Sequence, residues 1–357
     1  MAWSCGIVGL PNAGKSTLFK ALTSLDVVIE NYPFSTIDPN KAVVPIPDQR
    51  LPVLAETCGS DKITAATIEI IDVAGLVKGA SKGEGLGNQF LGHLRDVDLL
   101  IHVVPGFNDP DGAGLDAVSS LEIVNLELCL ADLEVIKRRR QKLEPKLKSG
   151  DKSAGSELAL LAKLENHLNQ GKLIRDLVLS SGEQSFLKHL SLLTGKEMIY
   201  VYNLSDDALN NRDLQRFPEN SLVIAMSARL EAELADLPAE ERKPFLEAYG
   251  LEQSRAELLL KECYNLLDLI TFYTVKGSEA RAWVVHNGIK AIEAAGKVHS
   301  DMERGFINAE VLPWDILKKE GGLVRAREKG LCRVEGRDYP VKDGDVLLFK
   351  FRPQAGS

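Results

Sequence analysis

The sequence lacks long apolar runs, a cysteine framework and an export signal, and each absence excludes a class of protein. No stretch approaches the roughly 18 uncharged apolar residues of a membrane-spanning helix, so we expect no membrane partner. The five cysteines are scattered, and no pair has the C-x-x-C spacing of a metal or redox site. Because no secretory segment follows Met1, these features together predict a reducing, cytoplasmic location.

Basic charge is also scarce. The formal net charge of −8 argues against broad non-specific binding to nucleic acid, which needs a surplus of Lys and Arg. The deficit is uneven, because residues 271–357 contain 15 Lys and Arg against 12 Asp and Glu. A basic C-terminal module could therefore still contact RNA.

Catalytic sets that rely on histidine or on a serine nucleophile are missing as well. The six histidines have no pairing at metal-ligand spacing, and no G-x-S-x-G motif occurs. We interpret these histidines as structural or surface residues.

An α/β pattern is present from residue 4 to about residue 104, where apolar strand-like runs alternate with polar, Gly-rich connections. This alternation predicts a mostly parallel sheet with crossover helices. Two similar runs occur much later, so we predict one sheet interrupted by an insertion. The predicted strands are 5–8, 67–71, 99–104, 198–202 and 222–226.

The insertion has the periodicity of two amphipathic helices joined by the polar stretch 149–153, which predicts an antiparallel, coiled-coil-like hairpin. The basic cluster 137–140 lies on its first helix, either as a solvated face or as a contact for RNA. The apolar positions are Ile123, Leu126, Leu130, Leu133 and Ile136 in the first helix and Leu158, Leu161, Leu164 and Leu168 in the second.

After about Thr271 the pattern changes to short strand-like runs separated by Gly and Asp turns, which predicts a small independent α+β module. The pair Asp343-Gly344 predicts a hairpin turn, because Gly tolerates the positive φ that such turns require. The predicted strands are 282–285, 306–311, 331–334 and 346–351. The predicted domain limits are 1–121 and 197–271 for the two parts of the α/β domain, 122–196 for the helical insertion and 272–357 for the C-terminal module.

The segment from Gly9 to Ser16 matches G-x-x-x-x-G-K-[ST], follows a predicted strand and leads into a helix-like run. In such a P-loop, backbone N–H groups converge on phosphate oxygens at a helix N-terminus. Lys15 would then reach the β- and γ-phosphates, and the Ser16 hydroxyl would coordinate Mg²⁺.

A D-x-x-G motif from Asp72 to Gly75 ends the next apolar strand, where Asp72 could hold a Mg²⁺-bound water and the Gly75 N–H could sense the γ-phosphate. The Gly-rich run 79–88 that follows fits a mobile switch loop. In the loop between the two motifs, Thr36 rather than Ser35 is the candidate to complete the Mg²⁺ shell. The alternative is a plain Pro-bracketed surface loop.

Two late segments predict recognition of a purine base. The segment from Asn203 to Asp206 has the N-x-x-D spacing that GTPases use to read guanine, but Leu204 stands where those enzymes have Lys. Ser227-Ala228 follows the next predicted strand.

These motifs together resemble the YchF family of Obg-like ATPases, which are P-loop NTPases of the TRAFAC class. The resemblance continues through Glu231-Ala232-Glu233-Leu234, Thr271-Phe272-Tyr273-Thr274 and Lys342-Asp343-Gly344-Asp345-Val346, and residues 272–357 are similar to a TGS domain, a ubiquitin-like β-grasp. It implies Mg²⁺-dependent hydrolysis of ATP, with GTP used poorly. It also implies association with the ribosome or its large subunit in translation or stress regulation.

The resemblance further implies residue roles: catalysis by Lys15, Thr36, Asp72 and Gly75, Mg²⁺ coordination by Ser16 and Thr36, phosphate binding by Asn12, Ala13, Gly14, Lys15, Ser16 and Thr17, and base recognition by Asn203, Leu204, Asp206, Ser227 and Ala228.

Three features depart from related patterns. Leu76 stands where Ras-like GTPases place a water-orienting Gln, Asp206 stands where the family usually has Glu, and residues 105–120 lack the His that the family often carries.

Three hypotheses for the function remain: an ATPase switch, a guanine-specific GTPase, and a non-enzymatic ribosome or RNA adaptor. For Asn12 two remain, a ligand of an activating K⁺ ion or a residue that stabilises the turn. We expect RNA or ribosome contacts from the C-terminal module and the helical hairpin.

Overall fold

The computed structural model describes residues 3–24, 41–72, 86–107, 116–149, 151–209 and 214–352. Within these ranges the chain forms two six-stranded sheets and a helical insertion. The strands are β1 (Trp3–Val8), β2 (Lys41–Pro45), β3 (Lys62–Thr64), β4 (Thr67–Asp72), β5 (Leu99–Pro105), β6 (Glu197–Asn203), β7 (Val223–Met226), β8 (Leu269–Lys276), β9 (Glu279–His286), β10 (Phe306–Pro313), β11 (Arg333–Glu335) and β12 (Asp345–Phe351). The helices are α1 (Lys15–Thr23), α2 (Arg50–Cys58), α3 (Leu86–Arg95), α4 (Ala117–Lys148), α5 (Lys152–Asn169), α6 (Ser181–Lys188), α7 (Ala228–Ala235), α8 (Ala239–Ala248), α9 (Arg255–Leu266), α10 (Ala291–Val298), α11 (Ser300–Arg304), α12 (Trp314–Glu320) and α13 (Leu323–Glu328).

The first sheet has the strand order β2-β4-β1-β5-β6-β7. All neighbours are parallel except β2, which pairs antiparallel with β4 at the edge. The five predicted strands and the mostly parallel α/β class are confirmed. Strand β2 was not predicted, because its sequence is short, half-exposed and ends in Pro45. The parallel order brings the carboxyl ends of β1, β4, β5, β6 and β7 to one edge, where the candidate site lies.

Apolar layers cover both faces of this sheet, which explains why its central strands lack polar alternation. Residues 99–104 of β5 are all buried. On one face β1 and β5 pack with α1, α2 and α9, and on the other β5 and β6 pack with α3 and the first half of α4. Rigid strands therefore support the loops at the carboxyl edge.

The predicted insertion, residues 122–196, contains α4, α5 and α6, and its limit between residues 121 and 122 falls inside α4. Helices α4 and α5 form the predicted pair. Asp116 caps α4 by accepting hydrogen bonds from the backbone of Val118 and Ser119, and Asp151 caps α5. The predicted apolar face of the first helix was wrong at Leu126, which is 50% exposed. Its buried face carries Leu121, Val124 and Leu128 instead, because this half of α4 packs on the first sheet rather than on α5.

The second sheet has the order β11-β10-β12-β8-β9-β3. The hairpin predicted at Asp343-Gly344 was wrong, because no strand immediately precedes β12. Gly344, at φ +86°, instead donates its N–H to the Thr271 carbonyl and accepts from the Trp314 N–H. The turn therefore anchors the loop before β12 to β8.

The C-terminal module is not independent of the rest of the chain, contrary to prediction. Strand β3, from residues 62–64, pairs parallel with β9 and completes the second sheet. Arg50 at the start of α2 donates to Asp343 at 2.6 Å, and Tyr273 of β8 donates to Asp48. The proposed domain limit between residues 271 and 272 falls inside β8.

No helix in the described ranges has the length and apolar character needed to cross a membrane.

Candidate nucleotide-binding site

The P-loop connects the end of β1 to the start of α1, as its motif requires. Gly14 is the N-cap of α1, at φ +95°, and a Cβ there would lie 2.1 Å from Nδ2 of Asn203. Only glycine satisfies both the left-handed backbone and this close approach. The loop thus leads its backbone N–H groups into a helix N-terminus, where an anion is favoured.

Lys15 is 7% exposed, and its ammonium donates to the Leu10 carbonyl at 2.7 Å. Burial lowers the pKa of Lys15, while the nearby Asp72 carboxylate opposes that shift. The P-loop therefore holds the charged group through one of its own carbonyls, within the loop that is proposed to bind phosphate.

Ser16 and Asp72 meet as the sequence predicted, although they are 56 residues apart. The Ser16 hydroxyl donates to Oδ2 of Asp72 at 3.1 Å. The other oxygen, Oδ1, is buried and has no hydrogen-bond partner among the residues that the structure describes. Burial raises the pKa of Asp72, and the Ser16 hydrogen bond and the Lys15 charge partly offset this rise. A hydroxyl beside a carboxylate with an unpartnered buried oxygen fits the hard oxygen ligands that Mg²⁺ prefers.

Asn203, at the end of β6, joins the P-loop to the loop after β7. Its buried side chain donates from Nδ2 to the Ala13 carbonyl at 3.0 Å and accepts at Oδ1 from the Ala228 N–H at 2.9 Å. The N-x-x-D segment, the P-loop and Ser227-Ala228 are thus brought together. In this position Asn203 fixes the frame of the site.

Asp206 already has partners for both of its carboxylate oxygens. Oδ1 accepts from the Ser227 hydroxyl at 2.6 Å, and Oδ2 accepts from the Arg229 guanidinium. Burial alone would raise the pKa of Asp206, but these hydrogen bonds outweigh it and hold the pKa below its ordinary value. Sequence reasoning missed Arg229, although its position directly after Ser227-Ala228 was visible.

Leu204 faces the protein interior and is only 4% exposed. It belongs to the cluster that contains Tyr202 and Phe217, and a Cβ on Gly106 would lie 2.6 Å from it. Its N–H donates to the Met226 carbonyl. Any contact between Leu204 and a base would therefore involve a small part of its side chain.

Some of the predicted site residues lie outside the described ranges, and one of those described, Asn12, makes no side-chain contact with the described residues that identifies its role. Thr36, Gly75 and residues 79–85 of the predicted switch run 79–88 lie outside the described residues, and residues 86–88 begin α3. Asn12 is exposed in the left-handed region, at φ +62°, and its side chain makes no hydrogen bond to any residue in the described ranges. The hydrogen bond of the turn-stabilising alternative is therefore not seen among these residues.

Glu231, part of the family-like motif 231–234, has a structural role. Its buried carboxylate accepts from the Ser254 hydroxyl and from the backbone N–H groups of Arg255 and Ala256. This places a negative charge at the N-terminus of α9, where the helix dipole stabilises it.

The basic cluster on α4 is largely neutralised by glutamates. Arg138 pairs with Glu134, Arg139 with Glu157 across to α5, and Arg140 with Glu165. These contacts favour the solvated-face interpretation of the cluster.

Comparisons with known proteins match nearly the whole chain. A family model described as a 50S ribosome-binding GTPase matches residues 4–139, and the YchF-GTPase C-terminal model, described as a protein of unknown function, matches residues 269–352. The "Ribosome-binding ATPase YchF" of Bacillus subtilis (strain 168) is 43% identical over 98% of this chain and 100% of its own length. The protein of the same name from Escherichia coli O157:H7 is 42% identical over 98% of this chain and 99% of its own.

A solved structure agrees with these matches. The Schizosaccharomyces pombe YchF GTPase has a TM-score of 0.87 and 31% identity, and the match covers 98% of this chain and 97% of that chain. Relatives this similar over their whole length, with the P-loop, Asp72 and N-x-x-D segments assembled at one sheet edge, establish that this chain belongs to the YchF family.

Proposed function

We propose that this chain is a Mg²⁺-dependent ATPase that binds the ribosome and acts as a switch in translation or stress regulation in the cytoplasm. The observation that carries the proposal is the phosphate site, in which Lys15, Ser16 and Asp72 are assembled at the N-terminus of α1. Its relatives from B. subtilis and E. coli are named ribosome-binding ATPases. An adaptor that used nucleotide only structurally would not need both of the γ-phosphate sensors that are expected from Asp72 and Thr36.

Each residue of the phosphate site has a proposed role. Mg²⁺, held by Ser16 and Thr36 with Asp72 behind them, would neutralise charge on the phosphate oxygens. Lys15 binds the β- and γ-phosphates with its ammonium, and Gly75 senses the γ-phosphate through its N–H. The remaining phosphate oxygens are bound by the backbone of the P-loop residues Asn12, Ala13, Gly14, Lys15, Ser16 and Thr17.

The choice of base is proposed to be adenine, although the solved relative is called a GTPase. A carboxylate reads guanine by accepting hydrogen bonds from its N1–H and exocyclic amino group, and Asp206 already has hydrogen-bond donors on both oxygens. Asn203, Leu204, Ser227 and Ala228 form the rest of the base end. A competition titration tests this proposal: ATP is expected to bind more tightly than GTP, and tighter binding of GTP would reverse the assignment.

Ribosome or RNA contact is proposed for the C-terminal module more than for the helical hairpin. Lys318 and Lys319 of α12 and Arg325 of α13 are exposed and form no ion pair within the described residues. Arg138 and Arg139 on the hairpin, in contrast, are paired with glutamates. Cations that are already neutralised release fewer counterions from RNA.

Charge reversal tests this assignment better than deletion of residues 271–357, which would cut β8 and remove the partners of β3. The triple variant Lys318→Glu, Lys319→Glu and Arg325→Glu is expected to lose ribosome co-sedimentation. The matched hairpin variant Arg138→Glu and Arg139→Glu is expected to retain most of it. Loss in the hairpin variant alone would assign the contact to the hairpin.

A further inference from the structure

The base end of the site contains an ion pair that the N-x-x-D pattern does not predict. Oδ2 of Asp206 accepts from the guanidinium of Arg229, and Oδ1 accepts from the Ser227 hydroxyl at 2.6 Å. The Asp206 side chain is 17% exposed, whereas that of Arg229 is 71% exposed. The carboxylate is thus held on the protein side, and its cation lies toward solvent.

The position of Arg229 is not explained by helix stability. Arg229 lies in the first turn of α7, where the helix dipole disfavours a positive charge. Its other charged contact within the described residues is Glu233 at 3.9 Å, an exposed pair one turn along the same helix that contributes little. The contact that favours an arginine at this position is therefore the one with Asp206.

The two purine bases respond differently to such a pair. Guanine presents N–H donors at N1 and at its exocyclic amino group, so it needs free acceptor lone pairs on a carboxylate. Adenine presents an unprotonated N1, which a free carboxylate would repel. Because a guanidinium is donor-only and always charged, it occupies acceptor sites on Asp206 and cancels the negative charge.

We propose that Arg229 is a specificity-determining residue that keeps the Asp206 carboxylate in an ion pair and thereby disfavours guanine at the base end of the site. This inference rests on the proposed ATPase function and names the group that sets its nucleotide preference. It also explains how Asp can stand at position 206 without restoring the guanine preference of an N-x-x-D segment.

The test compares the affinity ratio of GTP to ATP in purified full-length variants. In Arg229→Ala the ratio is expected to shift toward GTP by about two- to fivefold, the size expected for an ion pair with one exposed partner. Arg229→Lys is expected to recover part of the ATP preference. Lys243→Ala, which removes an exposed cation from the neighbouring helix α8, is the matched control and is expected to leave the ratio unchanged.

A double-mutant cycle shows whether Arg229 acts through Asp206. In the Asp206→Asn background, Arg229→Ala is expected to leave the ratio unchanged, because the carboxylate that it screens is gone. An equal shift in both backgrounds would contradict the inference.

Ionic strength gives a readout in the wild-type protein that needs no substitution. ATP and GTP carry the same triphosphate, so salt effects on phosphate binding cancel in the ratio. Salt screens an exposed ion pair, so the ratio is expected to shift toward GTP as salt rises in the wild type but not in Arg229→Ala. A ratio insensitive to both salt and Arg229→Ala overturns the inference. Tighter binding of GTP than ATP by the wild type contradicts the proposed ATPase function itself.

Discussion

The phosphate end and the base end of the site differ in how completely their polar groups are paired. At the phosphate end, Oδ1 of Asp72 is buried without a partner in the described part of the chain, and the Lys15 ammonium donates to a carbonyl of its own loop. At the base end, the amide of Asn203 and both oxygens of Asp206 have partners from other segments. The phosphate end therefore has a polar atom available to a ligand or metal, whereas the polar side chains of the base end are already hydrogen-bonded to the protein.

This difference matches the chemistry of the two halves of a nucleotide. The triphosphate and its metal are the same in ATP and GTP, so the phosphate end can follow the general P-loop pattern. The base is what differs. Leu204, which departs from the guanine-reading pattern, and Arg229, which pairs with Asp206, both lie at that end. We therefore expect substitutions at the phosphate end to affect turnover and those at the base end to affect selectivity.

Lys15→Ala is expected to have the largest effect and to confirm the role of the phosphate end. Turnover should fall by about 10²- to 10³-fold, the loss typical when one group that stabilises transition-state charge is removed. The fold should survive, which circular dichroism can check. Lys20→Ala on the same helix is the control, because Lys20 is exposed and pairs with Asp236 away from the P-loop. Unchanged phosphate release in Lys15→Ala would remove the P-loop assignment.

The strand beneath both ends gives a prediction of acid sensitivity. His102 on β5 is fully buried, and neither ring nitrogen has a hydrogen-bond partner within the described ranges. Burial, with the positive charges of Arg175 and Lys15, lowers the pKa of His102 from its ordinary 6.5 to about 3. Because the unfolded chain binds this proton at higher pH than the native protein, the free energy of unfolding should fall as pH drops from about 6.5 toward 3.

Denaturant unfolding of wild type and His102→Leu at two pH values measures this contribution. Between pH 7.5 and pH 5 the wild type should lose about 2 kcal/mol more stability than the variant, from 1.5 pH units at roughly 1.36 kcal/mol each. Equal losses in both proteins would show that His102 does not titrate between the folded and unfolded states.

Asn203→Ala is expected to lower both the affinity for ATP and the stability of the protein, because Asn203 connects the two ends of the site. The substitution leaves the Ala13 carbonyl and the Ala228 N–H without their partner, and unsatisfied buried groups cost about 1–3 kcal/mol each. We expect the affinity for ATP to fall about tenfold or more, with a lowered melting temperature. Asn203→Asp retains an acceptor for Ala228 but sets a buried carboxylate oxygen against the Ala13 carbonyl, so it should lose at least as much affinity as Asn203→Ala. Wild-type affinity in both variants would show that the frame is not needed.

Much of the first sheet and of the phosphate end could be predicted from sequence, because their signals are local. Apolar runs predicted the five strands β1, β4, β5, β6 and β7, and the spacing of the P-loop and D-x-x-G motifs placed Ser16 and Asp72 together. The second sheet could be predicted only in part. Its strand β3 is three residues long and comes from a segment more than 200 residues before its partner β9, so no local pattern reveals the pairing.

The base end shows the same limit at the level of side chains. Asn203 and Ser227-Ala228 were found from their positions after predicted strands. The ion pair between Arg229 and Asp206 joins the first turn of α7 to the segment after β6, and no local pattern reveals it. The wrong apolar face of α4 has a similar cause. Helical periodicity predicts that a helix has a buried face. Which residues lie on that face depends on the elements that pack against the helix, and here Val124 is buried whereas Leu126 is not.

Substitution of Asn12 is expected to have the smallest effect on turnover. Asn12 lies at the phosphate end and has two open interpretations, a ligand of K⁺ or a residue that stabilises the turn. Its side chain is exposed and makes no hydrogen bond to a described residue. We expect K⁺ to bind there and raise ATP turnover about fivefold over Na⁺ at equal ionic strength, a barrier change of roughly 1 kcal/mol. A cation near the β- and γ-phosphates would supply part of what Leu76 cannot, because an apolar side chain does not orient water. Asn12→Ala should abolish the difference between the salts, whereas Asn12→Asp, which retains an oxygen ligand, should preserve some of it. Equal rates in K⁺ and Na⁺, or full stimulation in Asn12→Ala, would exclude the cation and leave activation by a partner such as the ribosome.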